Sequence, residues 1–219
     1  MTIGIIIWLS GFLFLFIIIT NILSTIYGYK TFSDMDTDGQ LQNISNDPTK
    51  FKISFILIVS EHIGIIVLAM TLYIAFSRYN LILGIIWCLS RVGEGSIQVY
   101  NKRKYWRLLN IASEYLGRSA VEKKRLNEIT LDILKSKNRI FSYAQILFSI
   151  GTFSYSILFV IYGVVPIIIG WFGLIASIIY GLGNIIYNRK KDFKVIWGLG
   201  GVLIFVFELV LGIWLLIFV

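Results

Sequence analysis

Six stretches of mainly apolar residues dominate the chain, at roughly 3–27, 52–77, 81–100, 139–162, 165–187 and 195–217. Each is long enough for a transmembrane helix, which needs about 20 such residues to cross the hydrocarbon core. The third is the least apolar. The pattern predicts an all-α fold, a polytopic integral membrane helical bundle of six transmembrane helices forming a single membrane domain over residues 1–219. The first run, from Ile3 to about Tyr27, exceeds a signal-peptide core and is read as a retained helix.

The polar segments between these runs set the topology. The first connection, 28–51, is acidic (Asp34, Asp36, Asp38, Asp47), carries Pro48 near its end and reads as a loop. The second, Ser77 to Asn80, is so short that the second and third spans must form an antiparallel hairpin. The fourth is a tight turn around Gly163 and Pro166, and the fifth runs from Asn188 to Lys194. The third, about 101–138, is the one substantial polar segment. A helix continuing out of the third span to about Leu116, a break at Gly117, and a second helix over about 120–137 are expected there. Ser119 and Glu122 have capping-box spacing, in which serine accepts from the N3 amide and glutamate reaches back. The resulting basic amphipathic hairpin is expected to lie on anionic headgroups, with Lys102-Arg103-Lys104-Tyr105-Trp106-Arg107 as an interfacial anchor.

Composition supports a bilayer as the solvent. Hydrophobic residues are 57% and charged residues 15%, against about 25% charged in a soluble domain. The formal net charge is +8, yet the basic residues flank apolar spans and carry no nucleic-acid motif. Of the 20 Lys and Arg, 18 lie in or beside the first, third and fifth connections, while Arg78 sits on the other side and Arg91 inside a span. The positive-inside rule puts those three connections in the cytoplasm of a cell-membrane protein and both termini outside. Trp8, Trp171 and Trp214 then fall toward the outer face, Trp106 and Trp197 toward the inner. The single cysteine, Cys88, excludes a disulfide framework and a CxxC site.

Five ionisable residues interrupt the apolar runs. Glu61 and His62 lie about ten residues into the second span, Arg91 and Glu94 in the middle of the third, and Glu208 about 13 residues into the last. An ionised group near the bilayer centre costs roughly 2.5–3.5 kcal/mol on insertion scales. Five such groups facing lipid would be prohibitive, so they are expected to face inward and meet. Arg91, Glu94, Gln98 and Asn101 recur at i, i+3, i+7 and i+10, one helix face that Gly84 and Trp87 extend. Gly201, Phe205, Glu208 and Gly212 form a stripe on the last span, and Ser142, Gln145, Ser149, Thr152 and Ser156 another on the fourth. Asn21 and Ser24 add polar groups from the first. Gly173, Ser177 and Gly181 give the fifth span a small-residue seam for close helix approach.

Three carboxylates against one guanidinium leave a core at −2 with His62 neutral. Protons on the glutamates, a charged His62, a bound cation or a wet cavity can each resolve it. Glu61, Arg91, Glu94, Glu208, His62 and Gln98 are therefore the candidate binding residues. A metal site is disfavoured, with one histidine and no cysteine near it, and no cofactor is expected. Gly93-Glu94-Gly95-Ser96 is not a nucleophile elbow.

The same residues resemble a known family. Ser90-Arg91-Val92-Gly93-Glu94-Gly95 resembles its aromatic-Arg-x-x-Glu-Gly signature. Tyr162-Gly163-Val164-Val165-Pro166, followed by Gly170-Trp171-Phe172-Gly173-Leu174-Ile175, resembles the turn before its fifth helix. Phe207-Glu208-Leu209-Val210-Leu211-Gly212-Ile213-Trp214-Leu215 resembles its Glu-x-x-x-x-x-Trp-Leu ending. The family is a set of prokaryotic six-helix membrane proteins catalogued as a domain of unknown function (DUF4386 type). The resemblance covers the second to sixth spans and implies that Arg91, Glu94, Glu208 and Glu61 occupy family positions, whereas His62 has no counterpart. Ile167 stands where a basic residue usually follows the turn proline, and the third connection is longer and more basic than in relatives. Relatives place the N-terminus inside, opposite to the charge count here.

Three functions fit. The first is a membrane binding or transport protein that holds a proton, cation or small polar solute among Glu61, Arg91, Glu94 and Glu208. The second is an intramembrane enzyme acting on a lipid or isoprenoid, with Glu61 and His62 as acid and base, which requires a lateral opening toward lipid. The third is a structural or regulatory subunit whose charges glue helices together. An oligomer is compatible with all three.

Overall fold

The computed structural model describes residues 2–189 and 194–218. Seven helices account for nearly all of them: α1 (Ile3–Ile26), α2 (Thr37–Asn46), α3 (Pro48–Phe76), α4 (Leu81–Tyr115), α5 (Ala120–Tyr162), α6 (Ile167–Arg189) and α7 (Lys194–Ile217). Five of these, α1, α3, α5, α6 and α7, are long and apolar enough to cross a membrane. The fifth connection falls largely on 190–193, outside the described residues.

Local chemistry sets most helix ends. Asn80 accepts from the Leu83 amide at 3.0 Å and starts α4. Pro48 enters α3 at the first turn, where its missing N–H costs nothing, and Asp47 caps it by accepting from the Lys50 amide at 2.8 Å. Ser119 and Glu122 form the expected reciprocal capping box at the start of α5. Between α4 and α5 the chain reverses at Gly117 with φ +86°, a backbone that side chains with a Cβ resist.

Two expectations need correction. The first connection is not a loop throughout, because α2 lies within it. Asp36 caps that helix, and Leu41 and Ile44, three apart on one face, are buried against Leu108, Ile111 and Ala112 of α4. Nor is there a break near residue 138: α5 runs unbroken from Ala120 to Tyr162, with no proline or glycine before Gly151 to interrupt it. The third connection therefore consists of the C-terminal part of α4 and the N-terminal part of α5, continuous with the spans they extend, which pack together and against α2.

Six helices close a ring in the order α1, α3, α4, α5, α6, α7 and back to α1, each touching both neighbours. The outside of this ring is apolar, with Ile82 71% and Ile168 75% exposed, while its inside holds Arg91 at 1% and Glu94 at 3%. Water would not tolerate such an exterior, since contiguous apolar patches beyond a few hundred Å² are rare on soluble monomers. The five apolar helices and this inverted surface make the chain a multi-pass membrane protein. Where α5 and α6 meet, the small-residue seam is realised: Gly181 faces Ser149 and Gly173 faces Ser156. Part of the serine stripe on α5 thus serves helix packing and not the interior.

Candidate functional site

The ring encloses a cavity of about 460 Å³. All six helices of the ring contribute to its wall, together with Tyr29 and Thr31 from the first connection. The six candidate residues read from the sequence, Glu61, His62, Arg91, Glu94, Gln98 and Glu208, all line it. They arrive from three helices. Consecutive residues on α3 supply Glu61 and His62, the i, i+3, i+7 face of α4 supplies Arg91, Glu94 and Gln98, and α7 supplies Glu208.

Arg91 is the hub. Its Nη1 donates to Glu94 Oε2 at 2.7 Å, one turn along the same helix. Its Nη2 lies 3.5 Å from Glu208 Oε1, bridging α4 to α7. The guanidinium carbon sits 4.3 Å from the centroid of the Phe148 ring on α5 and 5.4 Å from that of Trp87, within cation–π range. Room for this side chain comes from Gly151, where a Cβ would meet Arg91 Cγ at 3.1 Å. Gly95 plays the corresponding part between α3 and α4: a Cβ there would sit 2.6 Å from Ile66 and 3.0 Å from the His62 carbonyl. Both glycines let helices approach beside the charged residues.

Glu61 is held differently. Asn21 Nδ2 donates to its Oε2 at 3.0 Å, and its Oε1 lies 4.0 Å from His62 Nδ1. Among the described residues no lysine or arginine forms an ion pair with it. Neither ring nitrogen of His62 has a hydrogen-bond partner, and neither does Gln98 Oε1 nor Arg91 Nε, although all are buried. Buried polar groups are normally satisfied. The cavity wall thus presents unused acceptors and donors on residues nine-tenths buried or more.

The first connection crosses one end of the cavity, anchored by residues whose sequence context points to a different place. Lys102 and Lys137, expected on a headgroup-facing surface, are buried at 2% and 1% exposure. Lys102 Nζ donates to the Tyr29 hydroxyl at 2.6 Å. Lys137 Nζ donates to Ser33 Oγ at 2.7 Å and to the carbonyls of Thr31 and Lys30. Asn138 completes the anchor, accepting from the Ser33 amide at 2.9 Å and donating to the Ser33 carbonyl at 2.8 Å. Burial drives the Lys102 ammonium down to about 8, with the nearby Glu61 opposing that shift. Tyr29 is pushed well above its ordinary value by burial first, and then by Tyr105 and Glu61.

Other polar residues of the wall were visible in the sequence only as stripe members. Asn21 and Gln145 line the cavity, as do Tyr180 and Trp197. Trp197, expected in an interfacial belt, stacks on Tyr187 with centroids 5.3 Å apart and forms part of the wall. No group of histidine, cysteine, aspartate and glutamate able to hold a metal occurs among the described residues.

A family model described as Domain of unknown function (DUF4386) matches residues 9–218. No curated protein and no solved structure matches the chain.

Proposed function

Because the chain belongs to the family described as Domain of unknown function (DUF4386), whose description carries no activity, we propose a function from the cavity: a binding or transport site for a small cation, a proton or a polar solute. In this reading α4 is a sixth span over about 81–100. Its lower hydropathy follows from the polar face that the ring hides, and its neighbours α3 and α5 are both apolar enough to cross. The first, third and fifth connections, which with their flanks carry 18 of the 20 basic residues, then face the cytoplasm of the cell membrane, with the termini outside.

The observation that carries the proposal is the convergence of Glu61, Glu94 and Glu208 on one cavity with a single arginine. Arg91 offsets one negative charge, and the buried Lys102 ammonium near Glu61 offsets part of the remainder. The balance is met by protons or by a bound cation, since an uncompensated carboxylate in a low-dielectric interior costs several kcal/mol. Glu94 and Glu208 would exchange protons while Arg91 stays charged. The volume falls within the range of small-molecule sites, about 300–1,000 Å³.

The test is ligand-induced melting of the purified protein in detergent, with butylamine, sodium or potassium as probes, from pH 5 to pH 8. A probe at about 100 times its Kd stabilises by about 2.7 kcal/mol, which raises Tm by about 5–10 °C in a chain of this size. That shift should be lost or strongly reduced in Glu61→Gln, Glu94→Gln and Glu208→Gln. Folded variants that melt with the same shifts as wild type across this pH range would remove the proposal.

A further inference from the structure

The cavity wall is not equally thick all round. At one end of the contact between α1 and α7 the two helices touch backbone to backbone: a Cβ on Gly11 would lie 2.8 Å from the Gly212 carbonyl. Further along, Ile22 on α1 and Val202 and Phe205 on α7 line the cavity and are also exposed on the outside of the ring, Val202 by 60%. The cavity therefore reaches the lipid-facing surface between α1 and α7. Hydrocarbon lies on one side of this opening and carboxylates on the other.

We infer that the site takes a single-chain cationic amphiphile from the bilayer through the α1–α7 opening, its primary ammonium held by Glu61, His62 and Gln98 and its chain trailing past Ile22, Val202 and Phe205. This rests on the cavity being a cation site and names the ligand class. Glu61 is the carboxylate that Arg91 leaves unpaired. His62 and Gln98, both buried in the same wall, offer acceptors with no partner within the protein. A primary ammonium carries three N–H donors, matching one carboxylate oxygen, one imidazole nitrogen and one amide oxygen. A water-soluble ion has no use for an apolar side door, whereas an alkyl chain can stay in lipid while its head is bound.

The experiment places the full chain in phosphatidylcholine nanodiscs and titrates dodecylamine, butylamine and dodecanoate, with protein-free nanodiscs subtracted. Dodecylamine is expected to bind at least about tenfold more tightly than butylamine, because its chain partitions into the bilayer and concentrates the head at the opening, and dodecanoate is expected not to bind. Glu61→Gln should weaken both amines. Val202→Trp and Ile22→Trp, at the mouth of the opening, should weaken dodecylamine at least fivefold and butylamine by much less. Equal affinity for the two amines, or dodecylamine binding that neither tryptophan affects, overturns the lateral amphiphile while the cation site stands. Failure of both amines to bind wild type overturns the cation site itself.

Discussion

Arg91 on α4 and Glu208 on α7 face each other across the ring with Nη2 and Oε1 3.5 Å apart, while the same guanidinium holds Glu94 at 2.7 Å. One cation thus compensates carboxylates on two helices that are not neighbours in the ring. Removing it should be costly. Arg91→Met is expected to lose about 3–5 kcal/mol, the usual penalty for breaking a buried pair by deleting one partner. Adding Glu94→Gln and Glu208→Gln to Arg91→Met should recover much of that loss, since neutral amides need no counter-charge. Thermal melting in detergent reads both. An Arg91→Met protein that melts like wild type would show that the bridge is not formed.

The α1–α7 contact makes a second prediction. A Cβ on Gly212 would lie 2.8 Å from Phe14 Cβ, and one on Gly11 would meet both the Gly212 carbonyl and Leu216. Gly11→Ala and Gly212→Ala should each cost about 1–3 kcal/mol through overpacking. Gly4→Ala, on the same helix with open space around it, should leave Tm unchanged. If all three behave alike, the two helices do not cross where the structure places them.

The buried ammonium of Lys102 ties stability to alkaline pH. Its folded value is about 8 against an ordinary 10.5. Between these values the unfolded chain binds the extra proton, so stability rises with pH across roughly 8 to 10.5. Below pH 8 both states carry the proton and this group adds no slope. Lys102→Met should flatten the rise, leaving the part due to Lys137, whose ammonium is also pushed down by burial. Melting wild type and variant side by side over pH 7–10.5 isolates the Lys102 contribution, and parallel curves would refute it.

Asn138 pairs with both backbone groups of Ser33, as a neighbouring strand would. Asn138→Ala leaves an amide and a carbonyl without partners, at about 1–3 kcal/mol for each if they stay dry. The local alternative is cheaper: the segment 29–33 lifts and takes water. Hydrogen exchange across Tyr29–Ser33 should accelerate in Asn138→Ala while exchange in α6 does not change. Unaltered exchange in that segment would show that Lys102 and Lys137 hold it without Asn138.

What was legible in the sequence, and what was not, follows from the range of the interactions. The face Arg91, Glu94, Gln98 is a spacing within one helix, and a bilayer leaves such a face no place but the interior. The capping box at Ser119 and the turn at Gly117 are local for the same reason. Burial of Lys102 and Lys137 was hidden, because their acceptors lie on Tyr29, Thr31 and Ser33, more than 70 residues away in the chain. The short α2 was missed because Leu41 and Ile44 are its whole apolar face, a signal that means little until Leu108 and Ala112 are known to pack on it. The serine stripe of α5 was seen, yet a period alone cannot say that Ser149 and Ser156 serve the seam with α6 while Gln145 reaches the cavity.

If the proposed cation site is right, these charges share a reachable cavity of net negative character. Gln98→Cys in a Cys88→Ala background measures it directly, through the reaction rates of the folded protein with cationic 2-aminoethyl and anionic 2-sulfonatoethyl methanethiosulfonate. Labelling by the cationic reagent is expected at least about tenfold faster than by the anionic one, with the difference narrowed by Glu61→Gln and the reaction slowed by dodecylamine. A cysteine at position 98 that reacts with neither reagent, or equally with both, would contradict it.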